Sequence, residues 1–127
     1  PMELYSKPAS TFVAEYIGSP PMNVLKGDSV GGAGLLSQYT GTAGNVGYVG
    51  VRPEALSLGK SGLQATVTLV EPMGAETLVH LKRGDDIMSM RGAHGIDLAP
   101  GAEVHLSVPD EALTVFDRDG RAVVSSA

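Results

Sequence analysis

Apolar and polar residues alternate along most of the chain after Pro21, with the two-residue period of a half-buried β-strand. The alternation is clearest at residues 65–69 and 103–108, where Val and Leu take turns with Thr, Glu, His and Ser. Short strands of this kind at intervals of about 8–12 residues, separated by glycine-rich turns, predict a β-sandwich or barrel. The pattern therefore predicts a mainly β fold.

Further apolar segments predict two β-hairpins, one pairing 78–82 with 87–91 and the other pairing 113–116 with 122–124. Arg-Gly-Asp-Asp joins the first pair and Asp-Arg-Asp-Gly the second, and both are typical turn sequences. Residues 26–47 are glycine-rich, with only Leu35-Leu36 as the start of a strand, and are expected to be β or irregular.

One segment has helical spacing and precedes the strands. Its apolar positions recur at i, i+3, i+4, i+7 and i+8, namely Ala9, Phe12, Val13, Tyr16 and Ile17. Ser6 is placed to cap its start, and Gly18 followed by two prolines ends it. We therefore predict an N-terminal amphipathic helix, with residues 1–21 as a connecting segment and 22–127 as the β domain.

Composition narrows the function classes. The 127 residues suffice for one domain, and their formal net charge of −5 argues against nucleic acid as a partner. Without cysteine there can be no disulfide or thiolate metal site. No apolar run approaches the roughly 20 residues of a spanning helix, so no direct membrane insertion is expected. No signal peptide is visible, and the start at Pro1 in mid-pattern indicates a piece of a longer polypeptide.

Two motifs suggest ligand chemistry only superficially. Gly59-Lys60-Ser61 ends like a phosphate-binding P-loop, but Glu54 stands where that loop needs glycine and a strand follows instead of a helix. Asp117-x-Asp119-Gly120 lacks the remaining oxygen ligands of a calcium loop. Both are predicted to be turns, and titration with Mg-ATP is expected to give no heat of binding.

The remaining candidate chemistry is equally sparse. The three histidines, His80, His94 and His105, are far apart in sequence and have no metal-ligand spacing. No Gly-x-Ser-x-Gly elbow marks a nucleophile. We therefore predict no catalytic, cofactor-binding or metal-binding residue in these 127 residues.

Arg52-Pro53-Glu54 interrupts a Val/Gly-rich run that otherwise predicts a strand. Pro53 cannot donate to a β-ladder and fixes φ, so it marks a strand boundary or edge. The opposite charges on either side of it favour a structural corner over a ligand contact.

Four blocks carry a family resemblance: 1–25, 50–56, 70–77 and 113–117. They resemble the region after the nucleotide-binding domain in ATP-binding subunits of carbohydrate-type ABC importers, of the maltose and sn-glycerol-3-phosphate type. The first block matches the family's helix motif at Pro1, Glu3, Tyr5, Pro8, Phe12, Val13, Ala14, Ile17, Gly18, Met22 and Asn23. Gly-x-Arg-Pro-Glu is present at Gly50 to Glu54, and Val-Glu-x-x-Gly-x-Glu-Thr at Val70 to Thr77. Residues 26–47 are shorter and less strand-like than in that family.

The resemblance implies a TOBE domain, an OB-like β-barrel that serves as a non-catalytic C-terminal regulatory and dimerisation module. It implies that ATP and Mg belong to the upstream part of the parent ATPase. The implied partners are a second copy of the subunit, permease subunits and a regulatory protein, on the cytoplasmic side of the membrane as a peripheral protein. The transported substrate, sn-glycerol-3-phosphate or a sugar, is chosen by other subunits.

An alternative function remains open at this stage. Related OB-like extensions in other transporters sense oxyanions, and Lys60, Ser61 and Thr66 are the available donors here. Binding of oligonucleotides by an OB-fold is disfavoured by the acidic charge and by an aromatic content of 5%.

The candidate functional residues fall into two groups. The structural-motif residues are Arg52, Pro53 and Glu54 at the corner, with Gly74 as a turn glycine and Glu76 at the start of the return strand. Residues 71–81 and 87–90 have apolar side chains on both faces, more than a half-buried sheet requires. We therefore predict an interface at Leu78, Met88 and Met90; the alternative is that both faces are covered within the domain.

Overall fold

The computed structural model describes residues 9–11, 21–39 and 46–123. The predicted helix over 9–17 and the proposed connecting segment 1–21 fall largely outside the described residues. Both stay predictions.

Eight strands, all paired antiparallel, form two sheets in the described part of the chain. They are β1 (Asn23–Lys26), β2 (Tyr48–Val51), β3 (Ser57–Gly59), β4 (Leu63–Pro72), β5 (Glu76–Arg83), β6 (Asp86–Ala93), β7 (Glu103–Ser107) and β8 (Thr114–Phe116). The first sheet has the order β1-β2-β8 and the second β3-β7-β4-β5-β6. Single 3₁₀ turns, Pro53–Ala55 and Asp110–Ala112, precede β3 and β8. The predicted mainly β, OB-like architecture is confirmed.

One hydrophobic core lies between the two sheets and draws side chains from both. Leu25, Val49 and Val51 come from the three-stranded sheet. The larger sheet supplies Leu63, Ala65, Val67, Val79, Leu81, Met88, Met90 and Leu106. The apolar residues that alternate at 65–69 and 103–108 therefore face inward, as the period of two requires, with the exception of Leu69, which is 51% exposed.

The hairpin predicted around residues 83–86 is confirmed, and its strands are longer than the sequence indicated. Strand β5 pairs with β6 from Glu76 opposite Ala93 to Arg83 opposite Asp86. Gly84 in the tight turn has a φ of 60°, which glycine adopts without strain. At the second predicted hairpin, Ala122 forms a single bridge to Phe116.

Strand β4 contains a β-bulge at Thr68. Val67 lies opposite Leu81 and Leu69 lies opposite His80, so Thr68 is the extra residue. A bulge of this kind shifts the inward–outward alternation by one residue. Beyond it, Val70 opposite Val79 points inward and Leu69 points outward.

The expectation of β or irregular structure at residues 26–47 is wrong in part, because Val30–Leu36 forms a helix, α1. Ser29 caps its start by accepting a hydrogen bond from the Gly32 amide at 3.0 Å. The glycines that lower helix propensity also permit the packing. A Cβ on Gly32 would lie 1.9 Å from the carbonyl oxygen of Lys26. The helix α1 therefore contains these glycines because it approaches β1 closely, although they lower its helix propensity.

Side chains from the first sheet and α1 region close the edge strand β6. The amide of Asn23 donates from Nδ2 to the Ser89 carbonyl at 2.9 Å, and its Oδ1 accepts from the Ser89 amide at 2.8 Å. The amide of Gly31 donates to Oδ2 of Asp86 at 2.7 Å. The two Asn23 bonds satisfy backbone groups of Ser89 that would otherwise be open to pairing with another chain, and the Gly31 bond attaches the start of β6 to α1.

Replacing Asn23 by alanine is expected to lower the free energy of unfolding by about 2 kcal/mol, because the partly buried backbone N–H and C=O of Ser89 both lose their partners. Urea denaturation measures the effect. Ser89→Ala is the matched control, since Asn23 bonds mainly to the backbone of Ser89, and it should change stability by less than about 0.5 kcal/mol. Equal effects of the two substitutions would contradict the role of the amide.

Candidate functional site

The Arg52-Pro53-Glu54 corner lies between β2 and β3. Strand β2 ends at Val51, and Pro53 begins the 3₁₀ turn, in which the Ala55 amide donates to the Arg52 carbonyl at 3.0 Å. Arg52 is buried and Glu54 is exposed. The turn packs against β6. Its role as a structural corner fits this placement and stays a prediction.

The β4–β5 hairpin tip, residues 71–76, is exposed along its whole length. Gly74 has a φ of 83°, and its carbonyl oxygen forms a hydrogen bond of 3.0 Å with Nδ1 of His94. Glu76 accepts a hydrogen bond of 2.7 Å from Nε of Arg91. Contacts to β6 and to the loop after it therefore hold the tip in place. The motif roles of Gly74 and Glu76 stay predictions.

The strands β4, β5 and β6 expose one continuous surface on the side away from the core. We call it the outer face; it consists of Leu69, Glu71, Glu76, Leu78, His80, Lys82, Ile87, Ser89 and Arg91. Ile87 is 75% exposed and Leu69 51%, while Leu78 is half-buried. Apolar side chains on a solvent-facing sheet surface are typical of an interaction surface.

Two of the three predicted interface residues are not on this surface. Met88 and Met90 are each 2% exposed and belong to the core, because they pair with the inward-facing Leu81 and Val79. The interface prediction is corrected accordingly. Leu78 remains a candidate, and Ile87 takes the place of the methionines.

The outer face is electrically balanced. It carries two carboxylates, Glu71 and Glu76, and two cations, Lys82 and Arg91. The outer face therefore has a formal charge of zero, in a chain of net charge −5. His80 lies 3.0 Å from Glu71, measured from Nε2 to Oε1. Balanced charge removes the repulsion that two copies of this acidic chain would otherwise meet at close range.

A shallow groove of about 400 Å³ runs along the edge of the outer face. Its lining residues include Met22 and Val24 at β1, and Leu78, His80 and Ile87 on the larger sheet. It extends the apolar part of the outer face towards the first sheet.

The two segments predicted to be turns, residues 59–61 and 117–120, lie outside the cores of the strands. Lys60 and Ser61 are exposed between β3 and β4, and a strand follows them. Oδ1 of Asp117 accepts hydrogen bonds from the amides of Asp119 and Arg121, each at 2.9 Å. Thr66 lies half-buried within β4, opposite Lys82.

The described ranges contain no cluster of three or more metal-ligating side chains. The described helices include none long and apolar enough to cross a membrane.

Asn23 and Asp86, whose side chains link β6 to β1 and to α1, were not singled out from the sequence. Both are single polar residues at strand starts, and their partners are 66 and 55 residues away in sequence. Only Ser29 before an apolar stretch signals the neighbouring helix α1.

Comparison with known proteins gives a consistent picture. The model of the TOBE domain family matches residues 49–116. The sn-glycerol-3-phosphate import ATP-binding protein of Salmonella typhimurium is 37% identical over 131 residues, which cover 92% of this chain and 37% of that protein. Its namesake in Bordetella pertussis is 41% identical over 104 residues, 72% of this chain and 28% of that protein. The chain thus spans about a third of the length of the curated relatives it matches.

Proposed function

The chain belongs to the TOBE domain family, and we propose that it is a non-catalytic regulatory and dimerisation domain in the ATP-binding subunit of an ABC importer. The transported substrate that the relatives' names suggest is sn-glycerol-3-phosphate, with sugars as the wider class. In this proposal ATP and Mg are bound by a part of the subunit outside these 127 residues.

The observation that carries the dimerisation role is the outer face. It combines the exposed Ile87 and Leu69 with a balanced set of charges, on a rigid sheet. A self-complementary surface of this type suits a second copy of the chain related by a twofold axis. Permease subunits and a regulatory protein are the further partners, and the subunit works peripherally on the cytoplasmic side of a membrane.

We expect the chain to show a monomer–dimer equilibrium with a dissociation constant between about 10 µM and 1 mM, because an isolated domain lacks the avidity of the full subunit. Ile87→Lys should weaken the dimer at least about tenfold, because it adds one cation to each copy, opposite Lys82, and so places like charges across the twofold contact. Sedimentation equilibrium up to millimolar concentration measures both.

Leu58→Lys is the matched control for this experiment. Leu58 is also an exposed apolar residue, 43% exposed, but it lies on β3 at the opposite edge of the same sheet. Its substitution should leave the equilibrium unchanged. A wild type that is strictly monomeric at 1 mM, or equal effects of the two variants, would refute the dimerisation role.

A further inference from the structure

Three chain segments bring charged and aromatic side chains to one end of the three-stranded sheet. Lys26 is the last residue of β1, and Tyr48, its register partner, is the first residue of β2. Arg118 lies in the turn after β8. Together they border a cleft of about 340 Å³ lined by Lys26, Asp28, Val46, Gly47, Tyr48 and Arg118. Its volume is at the lower end of the range for small-molecule sites.

The floor of the cleft is held by backbone contacts. The Gly27 amide donates to the Gly47 carbonyl at 2.9 Å, and the Gly47 amide donates to the Phe116 carbonyl at 2.7 Å. A Cβ on Gly47 would lie 2.3 Å from the carbonyl oxygen of Asp117 and 2.6 Å from Cα of Arg118. Only glycine at position 47 lets the turn that carries Arg118 approach β2 this closely. These backbone contacts therefore fix the relative positions of the two chain segments that carry Lys26 and Arg118.

The charges of the cleft define what it can bind. Neither Lys26 nor Arg118 has an ion-pair partner within the described ranges. With Asp28, these two cations give the lining of the cleft a formal charge of +1, which favours an anion. Guanidinium and ammonium groups are the usual ligands of a phosphate monoester.

Asp28 adds a second requirement to the same cleft. This carboxylate repels inorganic phosphate and a phosphate ester alike, but the hydroxyl groups of a polyol ester can donate hydrogen bonds to it. The phenol of Tyr48 offers a further hydroxyl partner.

We propose that this cleft binds a small phosphorylated polyol, with the phosphate between Lys26 and Arg118 and hydroxyl groups directed to Asp28. Nothing in this proposal depends on the domain's role in an importer, because binding is measured on the chain itself. The phosphate ester of a lipid headgroup shares this chemistry. The net charge of −5 opposes approach to an anionic membrane, so a soluble ester is the ligand.

Titration of the 127-residue chain with glycerol 3-phosphate, followed by amide chemical shifts, tests the site. We expect saturable shifts at residues 26–28, 46–48 and 118, with a dissociation constant of about 1 mM. Lys26→Gln and Arg118→Gln should each raise that constant about fivefold, as expected for one partly exposed charge-assisted contact. Lys82→Gln, a control on the outer face, should leave it unchanged.

Competing ligands and a third variant sharpen the test. Glycerol should not bind, and inorganic phosphate should bind more weakly than the ester. Asp28→Asn should reduce the preference for the ester over inorganic phosphate, because a neutral amide oxygen accepts hydrogen bonds from the ester's hydroxyl groups less strongly than a carboxylate does. The proposal is overturned if inorganic phosphate binds as well as the ester, if neither cation variant weakens binding, or if no saturable shift occurs. Cosedimentation with phosphatidylglycerol vesicles, in the absence of binding to the free ester, would overturn the soluble ligand and assign the cleft to a lipid headgroup.

Discussion

Lysine in place of Met88 is expected to destabilise the domain severely, whereas lysine in place of its neighbour Ile87 is expected to be tolerated. The Met88 side chain is 2% exposed within the core between the sheets, and the Ile87 side chain is 75% exposed on the outer face. Burying an unpaired ammonium, or forcing the core open to hydrate it, should lower the free energy of unfolding by about 4 kcal/mol or more. For Ile87→Lys we expect a loss of no more than about 1 kcal/mol, because the new ammonium is exposed but lies opposite Lys82.

Urea denaturation of both variants measures the difference, with circular dichroism to establish that each is folded in the absence of urea. Two adjacent positions on one strand receive the same residue, so the added charge and the strand are matched, and the loss of strand propensity is greater for Ile87→Lys. If Met88→Lys were as stable as the wild type, Met88 would have to be solvent-accessible and the register of β6 would be wrong by one residue.

Gly32→Ala is the second substitution for which we expect a large effect. Glycine to alanine in an open helix stabilises by about 1 kcal/mol. Here the new methyl carbon would lie 1.9 Å from the carbonyl oxygen of Lys26, and no rotamer can relieve a clash with backbone. Helix α1 would have to move away from β1, which would weaken the bond between the Gly31 amide and Asp86. The net loss should be about 3 kcal/mol, read from the urea midpoint.

Gly34→Ala in the same helix is its control. The added Cβ would meet Cδ1 of Leu63 at 2.4 Å, the flexible end of a side chain that can change rotamer. The gain in helix propensity then roughly offsets the repacking, and the stability should change by less than about 1 kcal/mol. Similar losses in the two variants would show that helix packing on β1 is not the cause.

The strands were predictable because their sequence pattern and their burial have the same physical origin. A period of two places Val104 and Leu106 towards the core and His105 towards solvent, whatever the rest of the fold is. Helix α1 was not predictable in this way. Its three glycines have the lowest helix propensity after proline, and the reason for them is a contact with the backbone of a different element.

The interface prediction failed in part for a related reason. Sequence alternation shows that Ile87 and Met88 face opposite sides of β6, but not which side is the core. That choice depends on pairing with β5, whose inward residues are Val79 and Leu81. The bonds from Asn23 to the edge of β6 could not be predicted either, because a single amide side chain forms no sequence pattern and its partner is a backbone group. The role of Arg52, Pro53 and Glu54 as a structural corner stays a prediction.

The bulge at Thr68 divides β4 into two segments: the inward-facing residues have odd numbers up to Val67, and even numbers from Val70. This limits which insertions and deletions the strand can accept. If β4 kept its length but paired with β5 without the bulge, Leu69 would point towards the core and Val70 to solvent. Deleting Thr68 instead removes only the extra residue, so that Leu69 and Val70 keep the faces that they have now. Between Val67 and Val70, aligned sequences of related domains should therefore show either the residue count of this chain or one residue fewer. At the Met73-Gly74 turn, where a change leaves both faces intact, the residue count should vary more widely.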